Sequence, residues 1–412
     1  MASSDSRSAT LLAAVLSGLA AEARRVQPRT VALRRALHRR PEIGLDLPVA
    51  RDAILTELAD LPLRLHLGRE VSSVVGVLEG GRPGPTVLLR ADMDALPLQE
   101  DTAVEFRSKT DGAMHACGHD THVAMLASAA RVLANHREDL GGRVLFMFQP
   151  GEEGFHGARH MISDGLLDRH GPAGLPKAAY ALHISATLPS GEVHTRPGPI
   201  MAAADVLRVT VVGRGGHASA PHDAVDPVPA AAAMVGALQT MMTRKVDTHQ
   251  PAVLTIARIT AGTTNNIIPE TAELEGTLRT MSEPVRLALR EEIRRVCRHT
   301  ALAHDCTARV DIEPGYPVTV NDPAAATTLG DLATRLFGAR KVATMPTPIM
   351  GAEDFAYVLE RVPGALAFLG ACSPGADPLG AAPNHSNRVT FDEAAMVPGV
   401  ALYAGLALHH LM

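Results

Sequence analysis

The sequence predicts an α/β fold: a mostly parallel sheet with helices on both faces, interrupted by a ferredoxin-like α+β segment. Three observations predict it. Short apolar runs bounded by Gly and Pro, at 74–79, 86–93, 143–149 and 178–184, alternate with helical stretches. That alternation is the pattern of a parallel sheet with crossover helices. From Asp205 the order changes to strand, helix, strand, strand, helix, strand, which is the ferredoxin-like order. The alternating pattern then resumes. Residues 205–314 are therefore expected to be an insertion between 1–204 and 315–412, bounded by the Pro-bearing segments 197–201 and 314–317.

Taken in order, residues 9–25 and 28–40 are expected to be two helices, the second ending before Pro41. A third helix spans 51–61. The strand 86–93 runs into Asp92 and Asp94, whose alternate spacing points both acids the same way. A Cys–His turn follows, then an alanine-rich helix at 122–136. The strand 143–149 delivers Glu152 and Glu153, a helix covers 157–163, and the strand 178–184 carries His183 at its end. Within the insertion, strands at 206–213, 252–260, 271–280 and 307–312 accompany helices at 225–244 and from Ser282, a plausible N-cap, to about 303. Helices at 322–337, 353–361 and 392–411 and a strand at 365–371 complete the first domain. Ligands of such sheets collect beyond the carboxyl ends of the strands. The acids, the Cys–His turn, the Glu pair and His183 all fall there.

Composition narrows the function classes. The 412 residues are 46% hydrophobic and 20% charged, as in an ordinary globular protein with a large core. A net charge of -5 argues against a nucleic-acid or anionic-membrane surface. The four cysteines form no disulfide framework, so reduced thiols and a cytoplasmic location are expected. The apolar run 11–21 lacks a basic leader and continues into Glu22, Arg24 and Arg25, which favours an amphipathic first helix over a signal peptide. No apolar run is expected to reach the length of a membrane span.

The chemistry concentrates in His115-Ala116-Cys117-Gly118-His119-Asp120-Thr121-His122. A thiolate and an imidazole on either side of a glycine suit zinc and similar borderline metals. The same octapeptide also fits a polar turn with Asp120 capping a helix. Glu152 and Glu153, His183 and His385 add oxygen and nitrogen donors, enough with the turn for two metal ions. Adjacent glutamates fit a division of labour between one metal ligand and one proton carrier, and equally an acidic start to the next helix.

The set Arg90-Ala91-Asp92-Met93-Asp94-Ala95-Leu96-Pro97, His115 to Asp120, Pro150-Gly151-Glu152-Glu153, His183, Gly213 to Ala218, Asn266-Ile267-Ile268-Pro269, Gly351 to Phe355 and Asn384-His385 resembles that of the dinuclear metal amidohydrolases. That family groups aminoacylases and glutamate carboxypeptidases. The most similar branch holds hippurate hydrolases, bacterial N-acyl-amino-acid amidohydrolases and plant auxin-conjugate hydrolases. The resemblance runs in order over about residues 30–410. It implies a catalytic domain interrupted by a small lid or dimerisation domain, and a homodimer formed through it. It implies two divalent metal ions, with zinc the default and manganese, nickel or cobalt compatible with the soft thiolate. The ligands would be Cys117, His119, Glu153, His183 and His385, with Glu152 as general base and acid. His217 and Asn266 would contact substrate or the developing oxyanion. Arg279 would receive the substrate carboxylate, and Asp94 would support the site from behind. Other branches place His and Asp where this chain has Asp92 and Asp94, so Asp92 is not expected to be a ligand. The implied activity is hydrolysis of N-acyl-amino acids, with a dipeptidase or carboxypeptidase as the alternative. A catalytically dead metal-stabilised scaffold is disfavoured by the unligated Glu152.

Overall fold

The computed structural model describes residues 2–168 and 174–412. The chain forms two compact units: Met1–Ile200 with Val320–Thr347 and Tyr357–Met412, and Met201–Thr319 with Pro348–Ala356.

The first unit is built on a sheet of eight strands, in the order Arg64–Leu67, Val74–Glu79, Gly141–Gln149, Arg82–Asp92, Ala178–Ser185, Gly364–Gly370, Val193–Thr195 and Val342–Thr344. Its four central strands, from Gly141–Gln149 to Gly364–Gly370, are parallel. Most of their residues are buried, as a sheet covered on both faces requires. The flanks are mixed. Arg64–Leu67, Val74–Glu79 and Gly141–Gln149 run antiparallel in succession, and Val193–Thr195 is antiparallel to Gly364–Gly370. The link from Leu67 to Val74 is too short for a parallel crossover, so the edge turns back on itself. The short strands at 64–67, 193–195 and 342–344 carry too few apolar residues to stand out in the sequence.

The two helices expected at 9–25 and 28–40 are one, Ala2–His38, with Pro28 inside it. An interior proline forfeits one backbone bond and crowds the preceding turn, at roughly 3 kcal/mol. Packing outweighs that cost here. Leu19 and Ala23 before the proline, and Leu33 and Leu37 after it, enter the same core. That helix packs against His119–Asn135 and Met396–Leu411. The expectation about membrane-length runs also needs correction. Glu393–Leu411 is long and apolar enough to cross a bilayer, but 72% of the stretch is buried inside the protein, which is the behaviour of a core helix. The helix expected at 353–361 shrinks to Ala356–Leu359. Phe355 N–H donates to Glu353 Oε1 at 2.9 Å, a local side-chain bond that competes with the first helical turn.

The second unit is a four-stranded antiparallel sheet in the order Ala252–Ala261, Thr271–Thr280, Ala203–Val212 and Thr307–Pro314. The helices Pro227–Lys245 and Glu283–Leu302 pack on it. Leu207, Val209 and Val211 alternate inward from the central strand to meet Met234, Leu238, Leu289 and Ile293. The Met and Ala residues of helix 227–245 that are buried, Ala230, Ala231, Met234 and Met241, pack into their own unit, leaving Ala232, Ala233 and Gly236 outside. Gly213 is needed for close approach: a Cβ there would lie 2.1 Å from the Val225 carbonyl oxygen.

Asp205 anchors this unit. It is buried in strand 203–212 and accepts from Arg286 and Arg290, one helical turn apart, each at 2.6 Å through Nη2. Burial would raise its carboxyl pKa, but the hydrogen bonds from Arg290 and Arg286 outweigh it and the carboxyl is held below its ordinary 3.8. A depressed carboxylate contributes stability above its unfolded pKa, lost as pH falls through the folded one. Asp205→Asn takes the shared carboxylate from two guanidinium groups, of which Arg286 keeps Glu283, and should cost about 3 kcal/mol in denaturant unfolding at neutral pH. The difference from the unaltered chain should narrow as pH drops below 3.8. A pH-independent difference, or none, would contradict the account.

Candidate metal centre

Three strand ends and two turns in the first unit converge on one cluster, buried at His119 and Cys117 and open at His385. The strand Arg82–Asp92 carries Asp94 just past its end, Gly141–Gln149 leads to Glu152 and Glu153, and Ala178–Ser185 holds His183. The turn Cys117-Gly118-His119 enters helix His119–Asn135 with Gly118 as N-cap at φ 86°. Asp120 is not the cap; its carboxylate is engaged by Arg34 and His38. A Cβ on Gly118 would lie 2.4 Å from Ile184 and 3.0 Å from the Phe391 ring, so only glycine lets the two flanking donors close on one point.

Cys117 Sγ lies 3.4 Å from His183 Nε2 and 3.3 Å from His385 Nε2. Glu153 Oε1 is 3.2 Å from His385 Nε2 and 3.9 Å from His119 Nε2. Among the compact donor groups, Cys117–His119–His183 and Cys117–Glu153–His385 share the thiol, and His119–Glu152–Glu153 places both glutamates beside one of the imidazoles. The ring orientations suit ligation. His119 Nδ1–H donates to the Asp94 carbonyl at 2.9 Å and His183 Nδ1–H to the Ile184 carbonyl at 2.8 Å, so each presents Nε2 to the cluster. His119 Nε2 and Glu153 Oε1 are buried with no hydrogen-bond partner. Buried polar atoms are seldom left so, and a nitrogen, sulfur and carboxylate set is what a divalent transition metal takes. The residues present therefore fit a pair of such ions.

A further cluster of donors, Asp92–His119–His122, is also compact, but two of its members are spent. Asp92 accepts from His122 Nδ1 at 2.5 Å and from Arg90 Nη1 at 2.7 Å, and His122 Nε2 accepts the Ile184 N–H at 2.7 Å. Burial works against ionising Asp92, yet Arg90, His119 and His122 hold its carboxyl well below the usual range. Burial, reinforced by His122, pushes His183 down to about 3, which keeps its imidazole in the neutral form that ligates. Burial pushes the Cys117 thiol up; a coordinating cation reverses that, since a ligating thiol loses its proton.

Asp94 divides its carboxylate. Oδ1 accepts from Glu152 N–H at 3.0 Å and Oδ2 from Glu153 N–H at 2.9 Å. Asn384 clamps the other side, donating to the carbonyls of Cys117 and Ile184 at 3.0 Å each and accepting from Ala186 N–H at 3.1 Å. His385 itself adopts φ 70°, its N–H bonded to the Ala116 carbonyl at 2.9 Å.

Residues 88–409 match the family model described as peptidase family M20/M25/M40. The chain belongs to that family. Thermostable carboxypeptidase 2 of Saccharolobus solfataricus is 36% identical, over 94% of this chain and 96% of the relative. N-acetylcysteine deacetylase of Bacillus subtilis is 35% identical, over 92% and 96%. The crystal structure of the Bacillus subtilis protein YXEP, described as a dinuclear metal-binding peptidase of the M20 family, superposes with a TM-score of 0.80 at 31% identity, covering 94% of this chain and 98% of that one. The chain is thus a metal-dependent hydrolase of the M20 type.

The structure brings together Cys117, His119, Glu152, Glu153, His183 and His385, with Asp94 behind the glutamates. His217, Asn266 and Arg279 belong to the second unit. His217 and Asn266 share one short ladder there: His217 pairs with Ile267, and Ala218 N–H bonds the Asn266 carbonyl at 3.1 Å. Both side chains are exposed. Arg279 is half-buried on strand 271–280, where burial lowers its pKa. The sequence reading did not find the supporting roles of His122, Asn384, Arg34 and His38. For Asn384 and His122 a signal existed, a polar side chain next to or three residues from a candidate ligand; for Arg34 and His38 there was none.

Gly118→Ala should displace the turn. A left-handed alanine and the overlap with Ile184 together cost on the order of 2–4 kcal/mol. The variant should unfold at lower denaturant and retain less metal after dialysis than the unaltered protein, measured by elemental analysis. Full metal content with unchanged stability would show that the turn tolerates a side chain.

Proposed function

We propose that the protein hydrolyses the amide bond of N-acyl-amino acids, releasing a carboxylate and a free amino acid, with two divalent ions held by Cys117, His119, Glu153, His183 and His385. The observation that carries the reading is the division between the two glutamates. The Glu153 carboxylate lies against His385 and near His119, inside the donor cluster. Glu152 is buried beside it, its backbone fixed by Asp94. A scaffold would need the first and not the second.

What the ions supply when bound is Lewis acidity toward the amide carbonyl and the attacking water. The residues supply the rest. Glu152 accepts the proton that the water loses and returns it to the leaving nitrogen, so the C–N bond breaks with a neutral amine departing. Asp94 sets the distance between proton carrier and cluster, because both glutamate N–H groups end on one carboxylate. The likeness to a carboxypeptidase and to a deacetylase at nearly equal identity supports an amide substrate with a free carboxylate, whichever group lies on the acyl side. The reading extends to a homodimer through the second unit, whose edge strand Ala252–Ala261 leaves Val253 and Ile259 exposed, an edge that a second copy can pair.

Glu152→Gln should keep its metal and lose about 10²–10⁴-fold in turnover, since an amide accepts no proton. Glu153→Gln and Cys117→Ser should lose metal. Full metal in both glutamine variants, with only Glu153→Gln inactive, would reverse the two roles. A screen of acetyl-, benzoyl- and long-acyl-amino acids beside dipeptides, with metal analysis of each preparation, tests the substrate. Cleavage of dipeptides alone would replace the proposed activity with the peptidase one.

A further inference from the structure

The metal-binding turn is gripped from behind by charges that the chemistry above does not use. Asp120 directly follows His119 and is fully buried. Its Oδ2 accepts from Arg34 Nε at 2.9 Å and from His38 Nδ1 at 2.8 Å, both on the helix Ala2–His38. His38 Nε2 faces Glu100 Oε1 at 3.3 Å, and Glu100 is held in turn by Ser108 N–H at 2.6 Å and the Thr102 hydroxyl. Arg34 also reaches Glu393 at 3.1 Å and lies 4.4 Å over the Phe106 ring. Arg34, His38, Glu100 and Asp120 are all buried.

Stability alone is a poor account of such a network. Desolvating four ionisable groups costs about what their pairing returns, and apolar residues of the same volume often serve as well. What charges at these distances do is fix position. The place they fix matters. Asp120 is the second residue of a helix whose N-cap, Gly118, makes no side-chain cap bond. Asp120 therefore ties the first turn to the N-terminal helix, while Asn384 and the Asp94 carbonyl hold Cys117 and His119 from the other side. His119 and Cys117 stand one and three residues away, with no room in the backbone between them to absorb a shift.

We propose that Arg34 and His38 are positioning residues for the metal centre: acting through Asp120, they hold the turn Cys117-Gly118-His119 at the geometry that binds metal. The N-terminal helix thereby sets how tightly the cluster holds its ions. The inference rests on the reading of Cys117 and His119 as ligands.

The test uses the full-length protein with His38→Leu, Glu100→Gln and Cys117→Ser, and zinc as the probe. Two quantities are read: zinc affinity by competition with a chromophoric chelator, and the melting temperature with and without zinc. Loss of a residue that orients ligands typically weakens metal binding about 10–100-fold. His38→Leu should show that loss, and zinc should raise its melting temperature less than it raises that of the unaltered protein. Glu100→Gln, one step further out, should show a smaller loss of the same kind, and it decides the matter should His38→Leu not fold. A merely structural network gives the opposite result: melting temperatures fall equally with and without zinc, and affinity stays put. That outcome in Glu100→Gln, and in His38→Leu where it folds, overturns the proposal, provided Cys117→Ser does lose zinc. Unchanged zinc affinity in Cys117→Ser is a different failure, of the ligand reading itself, and removes this inference with it.

Discussion

The two carboxylate oxygens of Asp94 are shared between the N–H groups of Glu152 and Glu153, and the site depends on that sharing. A glutamate that binds metal and a glutamate that moves protons have the same side chain. Only placement makes them different. Asp94 places both from one point, while its own carbonyl orients His119 so that Nε2 faces the cluster. One residue just past a strand end thus fixes the backbone of the proposed proton carrier, the backbone of one candidate ligand and the tautomer of another. Displacing Asp94 moves all three.

The sheet makes that arrangement possible. Three neighbouring parallel strands, Gly141–Gln149, Arg82–Asp92 and Ala178–Ser185, end at the same edge. Parallel strands end in register with their loops on one side, so residues far apart in sequence arrive together without long excursions. Beside these strands stand the turn that enters helix His119–Asn135 and a loop that carries His385. His385 is tied down by its backbone bond to Ala116 and by the three bonds of its neighbour Asn384. The turn closed by Ser386 N–H on the Pro383 carbonyl at 3.0 Å holds the left-handed residue locally, and the bonds to Ala116, Cys117 and Ile184 hold it against the cluster.

The central strands of both sheets were legible in the sequence because apolar periodicity is a local property. The expected strands at 74–79 and 271–280 match Val74–Glu79 and Thr271–Thr280. What was not legible was decided by packing. Pro28 marks a helix boundary by its own chemistry, and only the core that Leu19 and Leu37 share overrides it. The apolar terminal helix resembles a membrane span in composition and differs from one only in what surrounds it. The donors of the cluster were legible because metal ligands must be Cys, His or acids, a small alphabet. Their supports were not. A carbonyl that orients a ring, such as that of Asp94 or Ile184, leaves no trace in residue type.

The contrast between Asp92 and Glu153 shows how the fold chooses ligands. Both are acids with little or no exposure, and both approach His119 Nε2, Asp92 at 3.5 Å and Glu153 at 3.9 Å. Distance alone would select Asp92. Its oxygens, however, are already taken by Arg90 and His122, and Arg90 is held besides by Gln149 at 2.9 Å. Recruiting Asp92 to a metal would take the carboxylate from a buried guanidinium, a loss on the order of 3 kcal/mol. Glu153 Oε1 makes no well-aligned hydrogen bond, and its near contact, His385 Nε2 at 3.2 Å, is itself a candidate ligand. The acid available for ligation is the one not already bound to a buried guanidinium. The neighbouring Asp92–His122 pair serves as a fixed wall, which orients the site through Ile184 N–H without entering it. A buried polar atom left without a partner is costly in isolation, so its presence beside a fully satisfied neighbour of the same chemical type marks where the missing partner belongs.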